Sequence, residues 1–191
     1  MTITTMTMAV CMAATVAPVS PAQQKVVVYV RDRAGVSCII RIQAEALTAK
    51  MFANIGVQLE WRNGEPVNPP SEIRYVVVEL ATGTPADRVP KALAYARPYE
   101  GIHITVFFDR IQTDISPAKV LAHVLVHEIT HLLQGVSRHS ETGLMKARWA
   151  PSDLIAMRYR PLPFAREDVE LIHVGLRGRA AGKDKPVMGD L

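Results

Sequence analysis

Apolar and polar residues change period several times along the chain, and each change marks an element. Residues 25–31, KVVVYVR, form a β-branched run, the pattern of a strand buried on both faces. After Asp-Arg-Ala-Gly the period becomes helical. Ile40, Ala44, Leu47, Met51 and Ile55 recur at three- and four-residue steps, Arg41, Glu45 and Lys50 fall elsewhere, and Ser37 and Gly56 suit the two ends. VQLEW, residues 57–61, alternates as a half-buried strand and meets an Asn63-Gly64 turn, after which a polar, proline-rich loop runs to Glu72.

IRYVVVEL, residues 73–80, predicts a third strand, whereas TGTPADRVPKALAYARPYEG holds too many breakers for a long element. In IHITVFFD, residues 102–109, Ile102, Ile104, Val106 and Phe108 face one way and His103, Thr105 and Phe107 the other. The next helix has both ends written in: Ser116 can cap it, Pro117 takes the first-turn position where a missing N–H costs nothing, and Gly135 can adopt the left-handed conformation that closes it. Two shorter helical segments follow, near 152–158 and 166–175. Without repeat or linker, the order predicts one α+β domain: a mixed sheet backed by a helix, a long helix, and a small C-terminal helical part.

Composition changes this picture little. The chain has 191 residues, 49% hydrophobic and 21% charged, a globular balance that argues against both disorder and a membrane bundle. The net charge of +4 comes from scattered basic residues, apart from a cluster at 177–185 in a Gly-, Lys- and Pro-containing end, so residues 177–191 are expected to be a solvated, flexible basic tail and no nucleic-acid partner is expected. The first 24 residues carry no charged side chain, and an apolar run from Met8 to Val19 precedes Ser-Pro-Ala. That run is shorter than the roughly 18 to 20 residues that span a bilayer. It suits a signal peptide cleaved near Ala22, implying export, although no basic residue precedes it and a disordered leader is the alternative. Cleavage there would remove Cys11 and leave Cys38 alone, so no disulfide is expected in the domain of residues 25–176.

The chemistry lies in HVLVHEITHLLQGVSRHSETGLM, residues 123–145. On a helix, residues four apart stand about 5–6 Å apart at Cβ, so His127 and His131 can offer imidazole nitrogens to one ion. Glu128 is turned by about 100° from His127, which aims its carboxylate at a metal-activated water rather than at the metal. A catalytic zinc takes three protein ligands and leaves a position for water. His139, after the turn at Gly135, is the expected third ligand, with Glu141 as its competitor. His123, one turn before His127, could form a rival pair but is expected to support or simply pack, and His103 and His173 to be structural or exposed. Neutral imidazoles point to Zn2+.

These residues resemble the metzincin clan of zinc metallopeptidases, whose motif HExxHxxGxxH is followed by a methionine-containing turn. Here the spacing is HExxHxxxGxxxH, with the glycine one place late and the third histidine two places late. Gly143-Leu144-Met145 follows, which makes Met145 the counterpart of the turn methionine, though a buried core methionine is the plain alternative. The longer pattern HExxHxxxGxxxHSxxGxMxxxW, ending at Trp149, is also similar to a group of small bacterial metalloprotease-like proteins, over about residues 25–176. Upstream, LAYARPYEGIHITVFFD resembles a metzincin stretch in which Leu93, Ala94, Tyr95 and Ala96 would form the edge strand above the metal, able to bind an extended peptide through its main chain. A tyrosine that follows the methionine by two residues in some metzincins is Ala147 here, which leaves Arg148 and Tyr159 as candidates for stabilising an oxyanion.

The implied fold is zincin-like and the implied reaction is zinc-dependent cleavage of a peptide or protein substrate, with Glu128 as general base. Two alternatives stay open: a metal-stabilised binding module closed by a fourth ligand, Glu141 or His123, and a metal-dependent hydrolase of non-peptide substrates. Neither oligomeric state nor cleavage preference is legible in the sequence.

Overall fold

Strand β1 (Gln24–Asp32) lies inside the sheet, with neighbours on both sides, which is why its apolar run needs no alternation. The computed structural model describes residues 24–67, 75–83, 92–96, 102–111 and 116–180. The expected signal peptide, apart from Gln24, lies outside the described residues, as do the end of the proline-rich loop, most of the 81–92 connector and the tail beyond 180.

Strands β2 (Val57–Asn63) and β3 (Tyr75–Ala81) pair with β1 in parallel on either side. After β4 (Ala94–Ala96), β5 (His103–Phe107) pairs in parallel with β3, and β4 runs antiparallel to β5 at the edge, giving the order β2-β1-β3-β5-β4. The mixed sheet agrees with the α+β reading. One face is apolar: Val26, Val28, Val30, Val57, Val76, Val78, Leu80, Ile104 and Val106 are buried in a single core with the helices. The opposite face carries cross-strand ion pairs such as Lys25–Glu60 and Arg31–Glu79, together with Tyr29 set edge-on to Tyr75.

Helix α1 (Cys38–Ala53) buries Ala44, Thr48, Met51 and Phe52, while Ile40, Leu47 and Ile55 are half-buried against the same core. Thr48 Oγ1 donates to the Ala122 carbonyl at 3.3 Å, so the one polar member of that face is satisfied by helix α2 (Pro117–Gln134). From Val120 to Gln134 every residue of α2 is buried, between the sheet, α1 and helix α4 (Arg166–Ala180). A helix this largely apolar belongs in such a position, with its buried polar side chains kept for the site and for hydrogen bonds. No helix among the described residues is long and apolar enough to cross a membrane.

Its ends follow the sequence in position and differ in detail. Gly135 takes φ 71°, and its N–H reaches the His131 and Leu132 carbonyls. Ser116 and Ser37 stand at the N-cap positions, but neither side chain makes a capping bond. Strand β5 is shorter than its alternation suggested, because residues Phe108–Arg110 form a 3-10 turn that takes Phe108 off the strand. Phe107, on the polar side, is nevertheless buried, packed against Tyr95 and beneath the Arg110 guanidinium. Helix α3 (Pro151–Met157) is close to its expected span, but α4 runs on to Ala180, so residues 177–180 are helical rather than part of a loose tail. Gly175 lets α4 cross α2 closely: a Cβ there would lie 1.9 Å from the Leu133 carbonyl oxygen.

Candidate metal centre

The i, i+4 spacing on α2 brings His127 and His131 together with their Nε2 atoms 3.1 Å apart. Two imidazoles at Zn–N distances of about 2.0–2.1 Å in a tetrahedral site would have nitrogens about 3.3 Å apart, so the pair is already near the span of one ion. Each ring is oriented by its other nitrogen. His127 Nδ1 lies 3.2 Å from the Leu144 carbonyl oxygen and His131 Nδ1 lies 3.2 Å from that of Val136. A carbonyl can only accept, which assigns the proton to Nδ1 in both rings and leaves Nε2 as a lone-pair donor.

Burial enforces the same state. It pushes the His127 pKa down to about 3, with the neighbouring His131 adding to the shift, and it also lowers His131. Both imidazoles are therefore neutral near pH 7, as metal ligation requires.

His139 completes the group. Its ring centre lies 5.3 Å from that of His127 and 4.9 Å from that of His131, and the three offer ligand atoms within 4.8 Å of one another. Among the described residues the cluster has these three members, and neither Glu141 nor His123 belongs to it. His123 has other duties: Nδ1 donates to the Lys119 carbonyl at 2.7 Å and Nε2 accepts the Leu162 N–H at 3.0 Å, so both nitrogens are used and burial keeps the ring neutral. His173 pairs with Gln24 Oε1 at 3.0 Å, and His103 is exposed.

The turn after His139 was legible as Gly143-Leu144-Met145 and Trp149, with Met145 as its expected support. Met145 is fully buried, and its carbonyl accepts the Ser140 N–H at 2.8 Å. Its neighbour Leu144 makes the direct connection, since the Leu144 carbonyl accepts from both His127 Nδ1 and Trp149 Nε1, the latter at 3.0 Å. Gly143 enters this turn at φ 72°, and a Cβ there would meet the Pro163 carbonyl oxygen at 2.4 Å, so both backbone and space demand glycine. Leu144, Trp149 and Pro163 act here through backbone or indole groups. Only the tryptophan of the longer pattern hinted at them. Arg148 and Tyr159 are both exposed, Tyr159 at 82%.

Glu128 is buried beside the cluster. Burial raises its pKa to about 7, and the backbone N–H of Ala96 opposes that shift by favouring the charged carboxylate. The helix residue and the sheet edge thus meet. The Phe107 N–H donates to the Leu93 carbonyl at 2.9 Å, so in the antiparallel ladder Leu93 and Tyr95 turn their backbone groups toward β5 while those of Ala94 and Ala96 point away from it. Leu93 is half-buried against the core and Ala94 is buried.

No protein-family model matches this chain, and no curated protein matches it. Among solved structures it is similar to archaemetzincin from Methanopyrus kandleri, with a TM-score of 0.58 and 13% sequence identity, over 83% of this chain and 99% of that one. The fold is therefore zincin-like, of the archaemetzincin type. Its three imidazole donors form a set suited to zinc.

Proposed function

We propose that the chain is a zinc-dependent endopeptidase in which His127, His131 and His139 hold the metal and Glu128 is the general base. The observation that carries this reading is the meeting of a three-histidine cluster, a buried carboxylate with a pKa near 7, and a sheet edge left unpaired among the described residues. When bound, zinc would polarise the scissile carbonyl and lower the pKa of a water to about 7.

Glu128 takes a proton from the attacking water on its carboxylate and returns it to the leaving amine nitrogen, a role that favours a pKa near the working pH. The outward backbone groups of Ala94 and the Ala96 carbonyl align an extended substrate as an added strand, while the Ala96 N–H stays on the Glu128 carboxylate, so main-chain hydrogen bonding rather than side-chain reading sets the substrate's direction. Trp149 and Leu144 keep His127 in its metal-ready orientation. Met145 fills the space under the turn. The uncharged leader is consistent with an exported enzyme acting on peptides or proteins outside the cytoplasm.

The test is Glu128→Gln assayed on a panel of peptide, amide and ester substrates. Zinc content should stay at one per chain while peptide hydrolysis falls by at least about a hundredfold. Hydrolysis of esters alone would move the reading to a non-peptide hydrolase. Wild-type protein that binds zinc and a peptide but cleaves nothing would leave a binding module.

A further inference from the structure

The third histidine sits outside α2 on a loop without regular structure, so something other than helix geometry must hold it. Residues on both sides of it share one anchor. Ser140 Oγ donates to Asp168 Oδ1 at 2.6 Å, and Arg138 Nη1 donates to the same oxygen at 3.2 Å. The other carboxylate oxygen accepts the Ala165 N–H at 3.3 Å, at the start of α4. The Asp168 carbonyl in turn accepts from Gln134 Nε2 at 3.1 Å, in the last turn of α2. Asp168 is only 1% exposed, and Arg138, which also pairs with Glu167, supplies its counter-charge.

We infer that Asp168 is a positioning residue for the metal site, gripping Arg138 and Ser140 so that His139 between them is held at bonding distance from the ion shared with His127 and His131. The inference rests on the three-histidine reading of the site. Asp168 is not a member of the three-histidine group and acts through the loop. The Ser140 hydroxyl and the Asp168 carboxylate tie a ligand loop to a helix that begins 27 positions after the ligand, so two separate segments meet correctly only in the folded domain. A buried carboxylate gripping a serine and an arginine this closely is costly to desolvate, and a merely structural contact at this place would be met more cheaply by apolar packing.

The experiment uses the full chain loaded with cobalt(II), whose visible absorption reports the number and geometry of nitrogen ligands. Wild type, His139→Ala, Asp168→Asn, Ser140→Ala and Ser140→Thr are compared for spectrum, for affinity by chelator competition, and for metal-free melting. Asp168→Asn and Ser140→Ala should weaken cobalt binding by about 10- to 100-fold and shift the spectrum toward that of His139→Ala. Ser140→Thr, which keeps the hydroxyl, should restore the wild-type spectrum. Ser140→Ala guards against misfolding, because Ser140 lies in the loop rather than the core. Lower melting temperatures with an unchanged spectrum and affinity would overturn the positioning role while leaving the metal site intact. Wild-type protein that binds no cobalt would overturn the site and this inference together.

Discussion

The Nδ1–H of His127 points at the carbonyl oxygen of Leu144, 3.2 Å away, and that oxygen also receives the Trp149 indole N–H at 3.0 Å. One carbonyl thus links the helix ligand to the turn below it. Trp149→Phe keeps a ring beside His127 but removes the indole donor, leaving the carbonyl freer to move. We predict that the variant still binds one zinc per chain with affinity reduced by up to about tenfold, at the low end for partners that orient a ligand. Chelator competition reads this directly, and unchanged affinity would show that His127 and the Pro163 contact suffice to hold Leu144.

Removing the third imidazole separates the two sides of the ligand set. His139→Ala leaves the His127–His131 pair on an intact helix, because α2 ends at Gly135 before the loop begins. Mass spectrometry should find about one zinc per chain in wild type and far less in the variant. His123→Gln should keep its zinc while unfolding more easily, since both nitrogens of His123 serve backbone groups. Retained zinc in the first variant and lost zinc in the second would reverse the assignments of ligand and support.

Glu128 makes stability depend on pH in the metal-free protein. Its folded pKa, near 7, stands above the value of 4.5 that it starts from, so its contribution is fully present below pH 4.5 and is lost as pH rises through 7. Over that window the loss is about 3 kcal/mol at most. His127 works in the opposite sense: its pKa falls from 6.5 to about 3, so stability is lost as pH falls below 6.5. Comparing Glu128→Gln with wild type isolates the carboxylate. In chelator-treated samples the variant should gain on wild type between pH 4.5 and 8, as read by urea unfolding. The gain should shrink with zinc added, because a nearby cation favours the charged carboxylate. A difference flat with pH would mean that Glu128 is not held in a desolvated state.

The parts of this site that were legible in the sequence are those governed by local geometry. The His127–His131 pair and the end of α2 at Gly135 follow from helix period and backbone preference, which a single segment carries. That His139 would join the pair was legible too, but not the means of placing it, because Asp168 and Ser140 are 28 residues apart and meet only through the packing of α4 on α2. His123 shows the same limit. Its spacing fits a ligand pair, and only the Leu162 N–H brought to its Nε2 by the chain's return near Pro163, with Nδ1 already on the Lys119 carbonyl one turn back, reveals a structural role. Phe108, counted with the strand's apolar face, lies instead in the 3-10 turn that closes β5, yet stays half-buried against the same core.

Two glycines with similar backbone angles should respond differently to alanine. Gly135 has φ 71°, and a Cβ added there would meet no described atom within 4 Å, so Gly135→Ala carries only the cost of a left-handed conformation, about 1 to 2 kcal/mol. Gly143 has φ 72°, and its Cβ would lie 2.4 Å from the backbone oxygen of Pro163, which cannot rotate away as a side chain could. Its shift would also disturb the hydrogen bond from the Leu144 N–H to that same oxygen, 2.9 Å long, and so the carbonyl that orients His127. Gly143→Ala should therefore cost more, roughly 3 kcal/mol or above, and should lower zinc affinity where Gly135→Ala does not. Chemical denaturation gives the first comparison and zinc titration the second. Equal costs with equal affinities would mean that the turn relaxes freely and does not hold His127.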